Sequence, residues 1–140
     1  MRPENKGVPV SKTTYVDDYY AANSITRRGH TGFIILLNRS PIIWYIKIQN
    51  TVEASTFSSE FIADRTCVEH ITALRFKLCM FGIPAVDSTK ILFDNASVVK
   101  NYFILSFTLN KKHISIVHHF VRWHVAAGVI KVAWIDNNEK

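Results

Sequence analysis

The chain has 140 residues, 48% of them hydrophobic and 20% charged, with a formal net charge of +6 and an isoelectric point near 9.5. This length fits one domain with a real core, and the composition excludes an intrinsically disordered chain, which would be poorer in apolar residues. The basic balance favours polyanionic partners and says nothing about fold. No uninterrupted apolar run reaches membrane-spanning length, so no membrane partner is expected. The polar opening MRPENKGVPVSK lacks the apolar core of a signal peptide. Cys67 and Cys79 fall about three turns apart on one predicted helix, too far to pair with each other. Two packed thiols point to an intracellular protein of the cytoplasm or nucleus, not a secreted one.

Taken in order, residues 1–11 contain Pro3, Gly7 and Pro9 and read as a polar linker remnant, with one domain over 12–140. Residues 13–17 form a short β-prone run ending in carboxylates. A polar connection with Arg27, Arg28 and Gly29 follows. Residues 31–37 and 41–48 then read as two strands joined at Asn38-Arg39-Ser40, an antiparallel hairpin whose second strand opens on Pro41. From about 56 to 81 comes a long helix, with Ser and Thr at its entry and Gly82 and Pro84 at its exit. Phe57, Phe61, Val68, Ile71, Leu74 and Leu78 line one face of it. Residues 90–93 make a short strand ending at Asp94-Asn95. Helices follow over 96–103 and 114–127, separated by a loop carrying Lys111 and Lys112, and residues 129–135 make a last strand. The order β-β-β-α-β-α-α-β predicts a mixed sheet with helices on its faces.

In such sheets sites lie beyond the carboxyl ends of strands. Asp17 and Asp94 are predicted there, and Glu60 lies near the start of the helix that would cross them. Carboxylates converging on one point repel each other unless protonated or neutralised by a divalent cation. A set of Asp and Glu oxygens suits Mg²⁺ or Mn²⁺, and a pair of such ions can serve phosphodiester cleavage. The ordinary alternatives are a turn-forming Asp that bonds its own backbone and a Glu that complements a helix dipole.

The run YVDDYYAAN, the segment RRGHTGF, the strand PIIW, the stretch STFSSEFIA, ILFDN, and KKHI with a later HHFVR together resemble the ribonuclease H domain of copia-type retrotransposon polyproteins. The resemblance covers roughly residues 10 to 135. It implies the ribonuclease H-like α/β fold, a mixed five-stranded sheet with its first three strands antiparallel and flanked by helices. It implies that Asp17, Glu60 and Asp94 are metal-binding, catalytic carboxylates, that Mg²⁺ (or Mn²⁺) is the cofactor, and that the RNA strand of an RNA–DNA hybrid is the substrate. The expected nucleic-acid-binding set is Arg27, Arg28, Asn95, Lys111, Lys112, His113 and His119. The reverse transcriptase portion of a parent polyprotein is an expected partner.

The chain also departs from the family pattern. Members usually carry a fourth Asp in an Ala-Asp pair on a helix after the last strand, and that helix is expected to be missing here. Asp18 stands where Ala is usual, Ala22 where Gly is frequent and Trp123 where Glu is frequent. An inactive ribonuclease H-like remnant with a binding or structural role is therefore the alternative. Tyr15-Val16-Asp17-Asp18 imitates a polymerase motif, but only fourteen residues precede it and polar residues follow. The six histidines lack zinc-ligand spacing. Trp44 and Trp134 are expected to fill the core, and Trp123 to be exposed.

Overall fold

Period-two alternation decides which side of each strand is covered. The computed structural model describes residue 7 and residues 9–19, 25–50, 56–103 and 112–135. In β1 (Lys12–Tyr19) Thr14 and Val16 are buried, whereas Tyr15 and Asp17 are exposed. β2 (His30–Leu37) buries Phe33 and Ile35 on the same side. It returns as β3 (Ser40–Ile48) through Asn38 and Arg39, both at positive φ, 48° and 70°. Two successive left-handed residues give the loop a twist that matches right-twisted strands.

The long helix is α1 (Thr56–Met80). Phe61, Val68, Ile71, Leu74 and Leu78 are buried along it, while the side chain of Phe57 lies outside the described residues. Its end is a Schellman cap: Gly82 sits at φ 74°, its N–H donates to Cys79 O at 3.0 Å, and Ile83 N–H donates to Leu78 O at 2.9 Å. β4 (Thr89–Phe93), α2 (Ala96–Phe103), α3 (Lys112–Ala126) and β5 (Ile130–Trp134) complete the order.

The sheet runs β3-β2-β1-β4-β5, antiparallel from β3 to β1 and parallel from β1 to β5. This is the mixed sheet expected from the element order. The three helices pack against one another, and the core lies between them and one face of the sheet, with Val16, Phe33, Ile35, Ile91, Phe93, Ile130 and Val132 meeting Phe61, Ile71, Val117 and Val121. Among the described residues the opposite face carries no helix. That corrects the reading of Trp44 as core: it alternates onto the open face of an edge strand and is 73% exposed. Trp134, also expected in the core, is half exposed at the end of β5. Trp123 is exposed, as expected. Cys67 and Cys79 are free thiols, and burial pushes Cys67 well above the usual thiol range. Among the described residues no helix is long and apolar enough to cross a membrane. Residues 1–6 and 8 of the expected linker, Lys111, and the side chains of Lys112, His113 and Asp18 lie outside the described residues.

Candidate active site

The site forms where a parallel ladder runs out. β1 pairs with β2 along its whole length, to Tyr19↔His30, but its parallel pairing with β4 stops at Val16↔Phe93. Asp17 and Asp94 are each the next residue beyond that last pair. Asp17 is thus inside β1 and not past its end, because antiparallel pairing to β2 carries the strand on after β4 has stopped. Asp17 and Asp94 both border a hollow of ≈ 460 Å³ on the open sheet face, with Tyr15, Ile34, Trp44, Ile46 and Leu92.

Asp94 also borders a smaller recess on the helix side, with Glu60, Asp64, Asn95, Phe93 and Val98. Glu60, the fifth residue of α1, is half buried there. Burial raises its carboxyl above the ordinary range, the neighbouring Asp94 charge adds to the rise, and the Asn95 amide opposes it. Asn95 Nδ2 donates to Glu60 Oε1 at 2.9 Å and to Oε2 at 3.0 Å. Asp94 is therefore the shared member, with Asp17 on one side and Glu60 on the other. Among the described residues no three His, Cys, Asp or Glu side chains stand close enough to hold one ion, and Asp17 and Glu60 border different hollows. The donor set nevertheless fits a hard divalent cation: its ligands are carboxylate oxygens, and neither hollow is lined by a Lys or Arg.

The end of β4 is fixed from β5. Trp134 Nε1 donates to the Asp94 carbonyl at 3.2 Å and Ile135 N–H donates to Phe93 O at 2.9 Å. Trp134 thus serves the site instead of the core, which the sequence reading missed.

Asp64, one turn after Glu60 on the same face of α1, was missed as well. It is 1% exposed and accepts a hydrogen bond from the Tyr102 hydroxyl. Burial pushes the Tyr102 phenol well above its usual range, and the Asp64 charge adds to that. Tyr102 stacks on buried His118 at 5.8 Å and meets Phe61 edge-on at 5.3 Å. The signal was the four-residue spacing of Glu60 and Asp64, but spacing alone does not reveal that the second carboxylate is enclosed.

The expected nucleic-acid contacts are only partly gathered. Arg27 and Arg28 are exposed just before β2, at the same end of the sheet as Asp17, and Arg27 is at φ 52°. His119 is exposed on α3 with its ring 5.6 Å from that of His118. None of the three lines either hollow. Lys111 and the side chains of Lys112 and His113 fall outside the described residues.

Solved structures with a similar fold include LC11-RNase H1 isolated from compost, with a TM-score of 0.67 and 11% identity over 92% of this chain and 86% of that one. RNase H1 from Halobacterium salinarum NRC-1 matches with a TM-score of 0.65 and 11% identity, over 92% of this chain and 88% of that one. The fold is that of ribonuclease H. A structure of LC11-RNase H1 in complex with an RNA/DNA hybrid also superposes, with a TM-score of 0.63 and 13% identity over the same shares, 92% and 88%. Identities this low carry the ribonuclease H architecture alone. In sequence the chain is similar to retrovirus-related Pol polyproteins from transposons RE2 and RE1 of Arabidopsis thaliana, at 24% and 25% identity over 96% of the chain. It is 26% identical over 89% of its length to the Pol polyprotein from transposon TNT 1-94 of Nicotiana tabacum. The chain spans 9% of the length of these relatives. No family model matches it.

Proposed function

We propose that the chain is a retroelement-type ribonuclease H-like nuclease that hydrolyses the RNA strand of RNA–DNA hybrids with a divalent cation, Mg²⁺ or Mn²⁺. The observation that carries this reading is Asp94, at the open end of the β1–β4 ladder, with Asp17 and Glu60 to either side and no basic side chain lining the hollows. The hybrid bound by LC11-RNase H1 supports the substrate class.

Asp94 would be the shared ligand for the cation, with the carboxylates of Asp17 and Glu60 offered from its two sides. When bound, it supplies an activated water and neutralises charge developing on the leaving oxygen. The chain's own residues do the rest. The Trp134 indole and the β5 backbone keep Asp94 from drifting, and Asn95 keeps Glu60 at the recess. Arg27 and Arg28 offer cations to the phosphate backbone at the same sheet end. The free thiols support a reducing compartment, and the Pol relatives support work alongside a reverse transcriptase portion.

The test is cleavage of an end-labelled RNA–DNA hybrid with Mg²⁺ or Mn²⁺ by the intact chain and by Asp94→Asn. Metal-dependent cleavage that falls ~100-fold or more in the variant is expected, since even residues that only support a metal ligand cost about 10–100-fold. A second reading, a ribonuclease H-like fold that binds nucleic acid without cutting it, is favoured by the three carboxylates not forming one ligand set. It predicts hybrid retained in a gel-shift assay and intact after prolonged incubation with either metal.

A further inference from the structure

Asn95 uses the two ends of one amide for two separate jobs. Its Oδ1 accepts the Ser97 backbone N–H at 2.9 Å, which caps the first turn of α2. Its Nδ2 donates to both oxygens of Glu60, thirty-five positions earlier in the chain. The cap fixes the direction of the donor, because a planar amide whose oxygen is committed to a helix start has its nitrogen aimed one way. Asn95 also follows Asp94 directly, so the separation of Glu60 from Asp94 is set through the covalent geometry of a single residue.

We propose that Asn95 is a positioning residue that holds Glu60 in fixed relation to Asp94 for a divalent cation, and that it does not contact nucleic acid. The proposal rests on the nuclease reading above. An amide suits the task because it donates without adding charge. Asp would cap α2 as well but would face Glu60 with a like charge, and Ser would cap but is too short to reach it. A Lys would hold Glu60 and compete with the cation.

Asn95→Ser separates the two jobs, since it keeps a helix cap and removes the clamp. The variant is expected to keep the thermal midpoint and to bind Mn²⁺ about 10–100-fold more weakly by calorimetry without substrate. On a hybrid substrate kcat should fall by a similar factor with KM within about twofold. A raised KM at unchanged kcat would mean that Asn95 touches the nucleic acid, and unchanged kcat with unchanged Mn²⁺ affinity would mean that the clamp does nothing; either overturns the proposal. If the intact chain neither cleaves nor binds Mn²⁺, the nuclease reading fails, and the clamp is judged by NMR. The Asn95 side-chain amide resonances should then shift and exchange faster in Glu60→Ala, and resonances that stay in place would overturn it.

Discussion

At the scale of single residues the candidate site is a set of charges held in place by neutral groups. Glu60 shows the balance best. Its carboxyl is raised from its ordinary value of 4.5 by burial and by Asp94, so the folded chain binds this proton more tightly than the unfolded chain does. The resulting stabilisation is fully present below the ordinary glutamate value and is lost as pH rises through the elevated one. Glu60→Gln keeps an oxygen for Asn95 and removes the charge. Without metal at pH 7 the variant should therefore be more stable, by ~0.5 kcal/mol or less, because Glu60 is half exposed and solvent screens it. The gain should vanish toward pH 4 while cleavage is lost at every pH. Thermal melts across that range check this, and a lower midpoint for the variant at pH 7 would refute it. Asp64 contrasts with Glu60: enclosed and bonded to Tyr102, it braces the aromatic packing around His118.

At the scale of elements, punctuation decides where things end. The Schellman cap at Gly82 stops α1 at Met80, and Gly82→Ala, forced into φ 74°, should cost about 1 kcal/mol in chemical denaturation without changing the slope. A loss under ~0.3 kcal/mol would show that the cap tolerates a side chain. Helix α1, the hairpin and the carboxyl end of β4 were legible because Gly and Pro, Asn-Arg, and Asp-Asn stand at their respective boundaries. Asp17 was misplaced because its strand is prolonged by β2, a partner that local alternation cannot report. Trp44 was misassigned for a related reason: alternation says that Trp44 and Tyr45 face opposite ways, and only the packing of α1 decides which side is covered. The carboxylates could be listed from sequence, but the division of Asp94 between two hollows depends on where the β1–β4 pairing stops.

At the scale of the whole molecule, the helices cover one face of the sheet, and among the described residues the opposite face of this basic protein exposes large apolar side chains. Trp44 and Ile46 are 73% and 80% exposed there. Exchanging both for Lys should lower binding of a hydrophobic dye while moving stability by no more than about 0.5 kcal/mol, as surface changes usually do. A collapse of the melting transition would instead show that this face supports the fold. Asp94 has a further history in time. Its carbonyl is tied by Trp134, and the strand end behind it by Ile135, residues synthesised about forty positions later. A nascent chain halted before Trp134 already owns all three carboxylates and lacks the tie that steadies the central one. At about 5–20 residues per second on the ribosome, that gap lasts seconds. For those seconds the three acids exist before the indole that ties the Asp94 carbonyl has been made.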